Sequence, residues 1–201
     1  NGGGGMYLEI DCDPTLTGVT FSGNTAAGGG GGMKIVWSSS PTLINSILWG
    51  NSPHQLYLVP DITNNINIYY SDIQDGEAGI IDSGDNVSWL EGNINADPFF
   101  ADPENGDYNL QDDSPCINAG TADTNGDGVD DITDYSGPAP DMGAFEFICE
   151  SNIYDECGVC DGDGENLNDY GDCECQIVGD VYADCSGECG GDAEVDCAGV
   201  C

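Results

Sequence analysis

The sequence predicts an all-β protein. A right-handed parallel β-helix fills residues 1–147 and ends in a C-terminal cap; a small disulfide-rich repeat tail follows over 148–201. Three observations predict this. Two glycine runs, "GGGGM" at 2–6 and "GGGGM" at 29–33, open stretches that align without a gap at an offset of 27 residues. The segments between turn residues are short and rich in β-branched and aromatic side chains, which marks strands. Nine of the 11 cysteines fall within 149–201.

The repeat comes first along the chain. Residues 2–26 and 29–53 match at 10 of 25 positions, including Met6/Met33, Pro14/Pro41, Thr15/Thr42, Leu16/Leu43, Gly23/Gly50 and Asn24/Asn51. Leu8/Ile35 and Phe21/Leu48 keep apolar character. A flexible linker would not preserve apolar positions on both sides of it, whereas a fixed period of this length marks a stacked array. Helical repeats need long 3.6-periodic stretches. Here "MYLEI", "TLTGVTF", "MKIVW", "LINSILW" and "INIYY" are strand-length and separated by Gly, Asn, Asp, Ser and Pro. Each coil should therefore lie about 4.8 Å above the last. The glycines should sit at corners with positive φ, and Asn24 should stack on Asn51 as an amide ladder. A third, imperfect coil follows in "LYLVPDITNNINIYYSDIQDG".

These residues carry a resemblance. "GGGGM…FSGN" resembles the repeats of polymorphic outer-membrane adhesins and related β-helix surface proteins. "NINADPFFADPENGDYNLQDDSPCINAG" (93–120) with "DMGAFEF" (141–147) resembles the C-terminal end of secreted bacterial β-helix proteins of the "choice-of-anchor" type, with Asn118 where Asp is usual. The resemblance covers about 1–147 and implies the end of a pectate-lyase-like solenoid in a secreted or surface protein. It does not imply lyase activity, because fold does not carry function. A solenoid exposes its last core layer, so 93–147, with aromatics between prolines, is expected to fold over the open end.

Within that segment "DTNGDGVDDITD" places oxygen donors at loop positions 1, 3, 5, 9 and 12: Asp123, Asn125, Asp127, Asp131 and Asp134. Gly128 falls at the sharp turn, and Val129 would offer its carbonyl, which is calcium-loop spacing. The terminal Asp resembles the loops of dockerins and thrombospondin type 3 repeats rather than a sensor EF-hand, and no helical pattern flanks it. The expected cofactor is a structural Ca2+. The plainer alternative is an acidic surface turn.

The tail repeats D-C-x-G-x-C at a period of 12 and resembles the DCAGVC-type repeats of secreted marine bacterial proteins. It has too few apolar residues to hold itself by burial, so disulfides are the available staple. The candidates are Cys116, Cys149, Cys157, Cys160, Cys173, Cys175, Cys185, Cys189, Cys197 and Cys201, with Cys116–Cys149 as one guessed pair. Zinc is the rival, since Cys157-x-x-Cys160 is ligand-like, but the other pairs do not repeat that spacing. Unpaired thiols are a third reading, and a redox C-x-x-C lacks its βαβ setting. Cys12 aligns with Ser39 and has no ladder partner.

Composition bounds the function. Asp and Glu number 38 against a single lysine, Lys34, and no arginine, giving a formal charge of −37 with His54 neutral. Nucleic-acid binding needs cations against phosphate, so it is excluded; docking on anionic lipid is disfavoured for the same reason. No stretch is long and apolar enough to insert in a membrane. Cysteine density points to an oxidising compartment, hence a secreted or surface location. The chain does not begin with Met and has an odd cysteine count, as expected of a processed or truncated piece of a longer protein.

No catalytic residue is assigned. Pectate-lyase-type elimination resembles a mechanism with a basic Arg or Lys; Arg is absent and Lys34 reads as an exposed strand residue. Carboxylate pairs suited to glycosidase chemistry are guaranteed by chance here. His54 lies in a turn, where a lone histidine is usually solvated. Trp37 and Trp49, read as lying on adjacent coils, could stack on sugars, although packing is the simpler role. The expected function is a structural or adhesive segment, with extracellular glycans or copies of itself as partners. The alternative is the C-terminal end of a polysaccharide lyase or hydrolase whose active site lies upstream.

Overall fold

A computed structural model describes residues 2–60, 64–82 and 86–149. The chain divides into two units, Asn1–Phe147 and Ile148–Cys201. The first is an all-β parallel solenoid. Its first coil holds β1 (Met6–Glu9), β2 (Thr15–Thr17) and β3 (Thr20–Ser22). The second holds β4 (Met33–Val36), β5 (Thr42–Ile44) and β6 (Ile47–Trp49). The third holds β7 (Leu56–Leu58), β8 (Ile66–Tyr69) and β9 (Asp72–Ile73). β10 (Ile80–Ile81) and β11 (Val87–Trp89) begin a fourth, and an antiparallel hairpin of β12 (Phe100–Asp102) and β13 (Asp107–Leu110) follows.

Strands pair with their counterparts one coil away, forming sheets β1-β4-β7-β10 (sheet A), β2-β5-β8-β11 (sheet B) and β3-β6-β9 (sheet C). The register follows the sequence repeat: Met6 pairs Met33, Leu16 pairs Leu43 and Phe21 pairs Leu48, all in parallel. The third coil is "LYLVPDITNNINIYYSDIQDG", with Leu43 on Ile68 and Leu48 on Ile73. Alternation along each strand turns one column inward. Leu8, Ile35 and Leu58 line sheet A, and Leu43 and Ile68 line sheet B, in a core that also takes Met33, Leu48, Leu56, Ile66 and Ile73.

The corners are built by columns as well. Gly18, Asn45, Tyr70 and Gly92 adopt positive φ where sheet B bends into sheet C, and Gly23, Gly50 and Asp75 do so beyond sheet C. Ile10 and Trp37 share the same strained bend in successive coils, at φ 59 and 50. The glycine runs differ from expectation. Only Gly29 and Gly30 within "GGGG" of the second coil have positive φ; Gly4, Gly5, Gly31 and Gly32 do not. Their cause is close approach. A Cβ on Gly5 would stand 2.7 Å from the Gly32 carbonyl oxygen, and one on Gly32 2.5 Å from that of Gln55. Glycine runs of neighbouring coils lie backbone on backbone, joined by Gly5 N–H to Gly31 O at 2.9 Å and Gly31 N–H to His54 O at 2.8 Å.

Polar ladders close each corner. Asn24 donates from its backbone N–H (3.0 Å) and its amide (3.1 Å) to Asn51 Oδ1. Asn51 in turn donates to Phe21 O and to Gln55 Oε1, each at 2.8 Å, and Gln55 donates to Gln74 Oε1 at 3.0 Å. A second ladder runs Val19 N–H to Ser46 Oγ, Ser46 N–H to Ser71 Oγ and Ser71 N–H to Asn93 Oδ1. A third links Cys12 N–H to Ser39 Oγ and Ser39 N–H to Asn64 Oδ1. Cys12 thus lies over Ser39, as the alignment has it, with no cysteine above it, and the rung runs through its backbone N–H. Its thiol donates to Glu9 O as Ser39 Oγ does to Val36 O, both at 3.0 Å, so a small donor is all the position asks for.

Residues 97–147 do not simply cover an open end. They pack along the outer face of sheet C, across successive coils. Ala144 N–H donates to Thr20 Oγ1 in the first coil. Asn45 in the second clamps the Thr121 backbone, donating to its carbonyl and accepting its N–H at 2.8 Å each. Asp72 in the third meets Cys116. Ile47, Phe100, Leu110, Cys116 and Met142 form the buried second core between the two layers, with Trp49, Tyr70 and Ile94 packed against it. The physical reason is that the outward column of sheet C is itself apolar at Ile47 and Ile94, so burying it is favoured.

Candidate functional site

The end motifs form the contact between the flanking segment and the solenoid. In "SPCINAG" Ser114 Oγ donates to Pro98 O and accepts Cys116 N–H. In "DMGAFEF" the Asp141 carboxylate accepts N–H groups from Asn118 and Phe147, and Glu146 accepts those of Asp141 and Ser136. Met142 N–H donates to Cys116 O and Gly143 N–H to Asn45 O. Gly143 has φ 100, and a Cβ there would stand 2.8 Å from Ile47 Cδ1. Asn118, at φ 56, turns its amide nitrogen toward Ala139 O and Ser136 O, a donation that a carboxylate could not make. The conspicuous residues of this end are therefore engaged in holding backbone. Burial pushes Asp141 up to about 6, against the pull of the Phe147 and Asn118 N–H groups.

The loop at 123–134 is wound around Asp123. Its Oδ1 accepts N–H groups from Asn125 (3.3 Å), Gly126 (2.7 Å) and Asp127 (3.3 Å), and its Oδ2 accepts Gly128 N–H at 2.7 Å. These donors, Gly128 first, hold the Asp123 carboxyl below its ordinary range. Asn125 Oδ1 accepts Asp127 N–H and Asp127 Oδ1 accepts Val129 N–H, both at 2.9 Å. Asp131 faces the other way: Oδ2 accepts from Thr124 N–H and Oγ1, and Oδ1 from the Asn125 amide. Asp134 is exposed. The donor set is all oxygen, as a hard cation needs. Among the described residues, however, no three His, Cys, Asp or Glu side chains gather around one point. A cation at this loop would draw Asp131 away from Thr124.

The cysteine candidates divide. Cys116 is a free, fully buried thiol. The guessed Cys116–Cys149 bridge is therefore overturned: the Cys116 thiol points to Asp72 Oδ2 at 3.4 Å. Cys149 is buried. Cys157, Cys160, Cys173, Cys175, Cys185, Cys189, Cys197 and Cys201 lie outside the described residues.

Lys34 pairs with Tyr7 in register, donates to Gly28 O at 3.0 Å and lies 5.5 Å over the Tyr57 ring, a cation–π contact. His54 is half-buried and lines a polar depression of about 310 Å³ with Gln55, Gln74 and Asp75. Trp37 and Trp49 both belong to the second coil, not to adjacent coils. Trp37 is 55% exposed at one corner, while Trp49 packs against the second core. Trp37 follows β4 and Trp49 ends β6, so they do not stack on successive coils of one sheet.

Sequence reasoning missed two residues. Asn45 occupies the corner column of Gly18, where an amide tolerates left-handed backbone; that alignment was its one signal. Asp72 interrupts the Ile47–Ile94 column, and a lone carboxyl in an apolar column was visible only with the register known. No helix among the described residues is long and apolar enough to cross a membrane. No family model matches the chain, and no curated protein or solved structure matches it.

Proposed function

We propose that this chain is a structural or adhesive segment of a secreted or cell-surface protein, stabilised by calcium at 123–134 and by disulfides in its tail. The reading rests on one observation above others: the residues that stand out chemically in the solenoid and its flank are engaged in holding backbone, as the Asn24–Asn51–Gln55 ladder and the Asp141 and Glu146 carboxylates illustrate. The resemblance of 93–147 to the ends of secreted β-helix proteins, and of the tail to DCAGVC-type repeats, supports the location. Extracellular glycans or further copies of the chain are the proposed partners.

Two measurements test the reading. Incubation with a panel of acidic and neutral glycans should show binding without turnover. Release of reducing ends or unsaturated products would replace it with the alternative, the C-terminal end of a polysaccharide lyase or hydrolase. For the ion, calcium at a hundredfold above its dissociation constant should stabilise by ~2.7 kcal/mol. That corresponds to a rise in melting temperature of roughly 5–10 °C over the chelated protein. Asp123→Ala should abolish the rise. Identical melting curves in calcium and EDTA would remove calcium from the proposal.

A further inference from the structure

The outward column of sheet C reads Thr20, Ile47, Asp72, Ile94. Asp72 is wholly buried under the flanking segment. Its Oδ1 accepts Ala96 N–H at 3.2 Å and its Oδ2 faces the Cys116 thiol at 3.4 Å. Cys116 is equally buried, in a core with Phe100, Leu110 and Met142. We propose that Asp72 is a pH-sensitive latch: uncharged, it lets the 97–147 segment seat on sheet C, and its ionisation loosens that segment from the solenoid.

The surroundings supply no counter-charge. From β6 the neighbour is Ile47, with Ser46 beside it. From the fourth coil come Ile94 and Ala96, and from the start of the flank the acid Asp97, whose charge opposes ionisation. From the flank comes Cys116, with Asp141 beyond it. The groups that bear on the Asp72 charge are acids and a thiol, and the Tyr70 and Tyr108 phenols packed against the same core carry no positive charge in either protonation state. The chain's single lysine, Lys34, lies on sheet A, arginine is absent, and its single histidine, His54, lines the depression with Gln55 and Gln74. An ionised Asp72 is thus a buried charge held by one N–H and one weak thiol donor, the situation that favours exposure to water.

Titration follows the same sense. Burial first, and Asp97 in addition, raise the Asp72 carboxyl from 3.8 to about 7, against the Ala96 N–H and the Cys116 thiol. Burial and the neighbouring Asp72 push the Cys116 thiol up, so it stays a protonated donor. A carboxyl raised in the seated state contributes stability that is fully present below its free pKa. That stability is lost as pH rises through the seated pKa. The latch is therefore tight near pH 4, weakens tenfold per pH unit, and levels off above about pH 7.

Hydrogen exchange of the full chain tests this. The amides of Thr121 and Gly143, which bond to Asn45, report seating of the segment; that of Val59, bonded to Ile35 O, reports the solenoid. After correction for intrinsic base catalysis, protection at Thr121 and Gly143 should fall about fivefold between pH 6 and 7 while Val59 holds. In Asp72→Asn that fall should vanish. Asp141, raised to about 6, adds its own dependence mainly below that window. An equal slope between pH 6 and 7 in Asp72→Asn overturns the latch. So does flat protection from pH 5 to 8 in the unaltered protein, a result that needs no variant to fold.

Discussion

Gly31→Ala should abolish the stacked solenoid or cost at least the ~3 kcal/mol of severe overpacking. Gly31 has ordinary φ, so backbone conformation is not the obstacle. The obstacle is space. A Cβ there would run into the Ser52 backbone at the far end of the same coil and lie 2.7 Å from Asn24 O of the first. Both neighbours are main chain and both are tied into the stack: Ser52 N–H donates to Asn24 O at 2.8 Å. Neither can turn aside as a side-chain tip would. The coils must separate locally, and the Asn24–Asn51 ladder beside them would be pulled apart. Two controls isolate the cause. Gly23→Ala has open space but φ 64, and should cost only ~1–2 kcal/mol of left-handed strain. Gly2→Ala meets nothing within 4 Å and should be silent to within ~0.5 kcal/mol. Denaturant unfolding of the three variants should rank them in that order; a Gly31→Ala midpoint equal to that of Gly2→Ala would refute the close-approach account.

Ile35→Ala is expected to lower unfolding free energy by about 2–5 kcal/mol. Ile35 is fully buried, and it is held in a column between Leu8 and Leu58. Truncation removes apolar contact, and it leaves a void that the rungs on either side cannot close, because strand spacing fixes them about 4.8 Å apart. A globular core can collapse from several directions; a stack can do so only within one rung. The same change at Ile10, which is 62% exposed, should do little through packing. Equilibrium urea curves give the comparison, and a cost below ~1 kcal/mol at Ile35 would mean the column is not the core.

Much of the solenoid was legible in the sequence. The 27-residue repeat alone pairs Leu16 with Leu43, Met6 with Met33 and Asn24 with Asn51, as the strands do. The glycine runs were read as corners needing positive φ. They proved to be mainly points of close backbone approach, because the sequence shows a missing Cβ without showing which clash it avoids. The spacing of the oxygen donors in the 123–134 loop was legible too. What the loop does with its oxygens was not: Asp131 turned to Thr124 and Asn125, a choice set by the fold of the whole loop.

The flank is where sequence reasoning stopped. The 93–147 end segment is expected over an open end, and its residues from 97 on also run along sheet C. Cys116, a candidate partner for Cys149 by sequence, sits as a thiol against Asp72. The contacts responsible join residues 44, 76 and 124 positions apart.

By itself the sequence determined the coil: its length, its register and the columns that face inward. It could do so because each rung stands in the same surroundings as the next, and equal surroundings select equal residues. Only the tertiary structure decided which outer face the aperiodic segment covers, and so which carboxyl is buried. Such contacts occur once, between unlike residues far apart in the chain. Burial of a charge depends on what comes to lie over it rather than on the residues beside it.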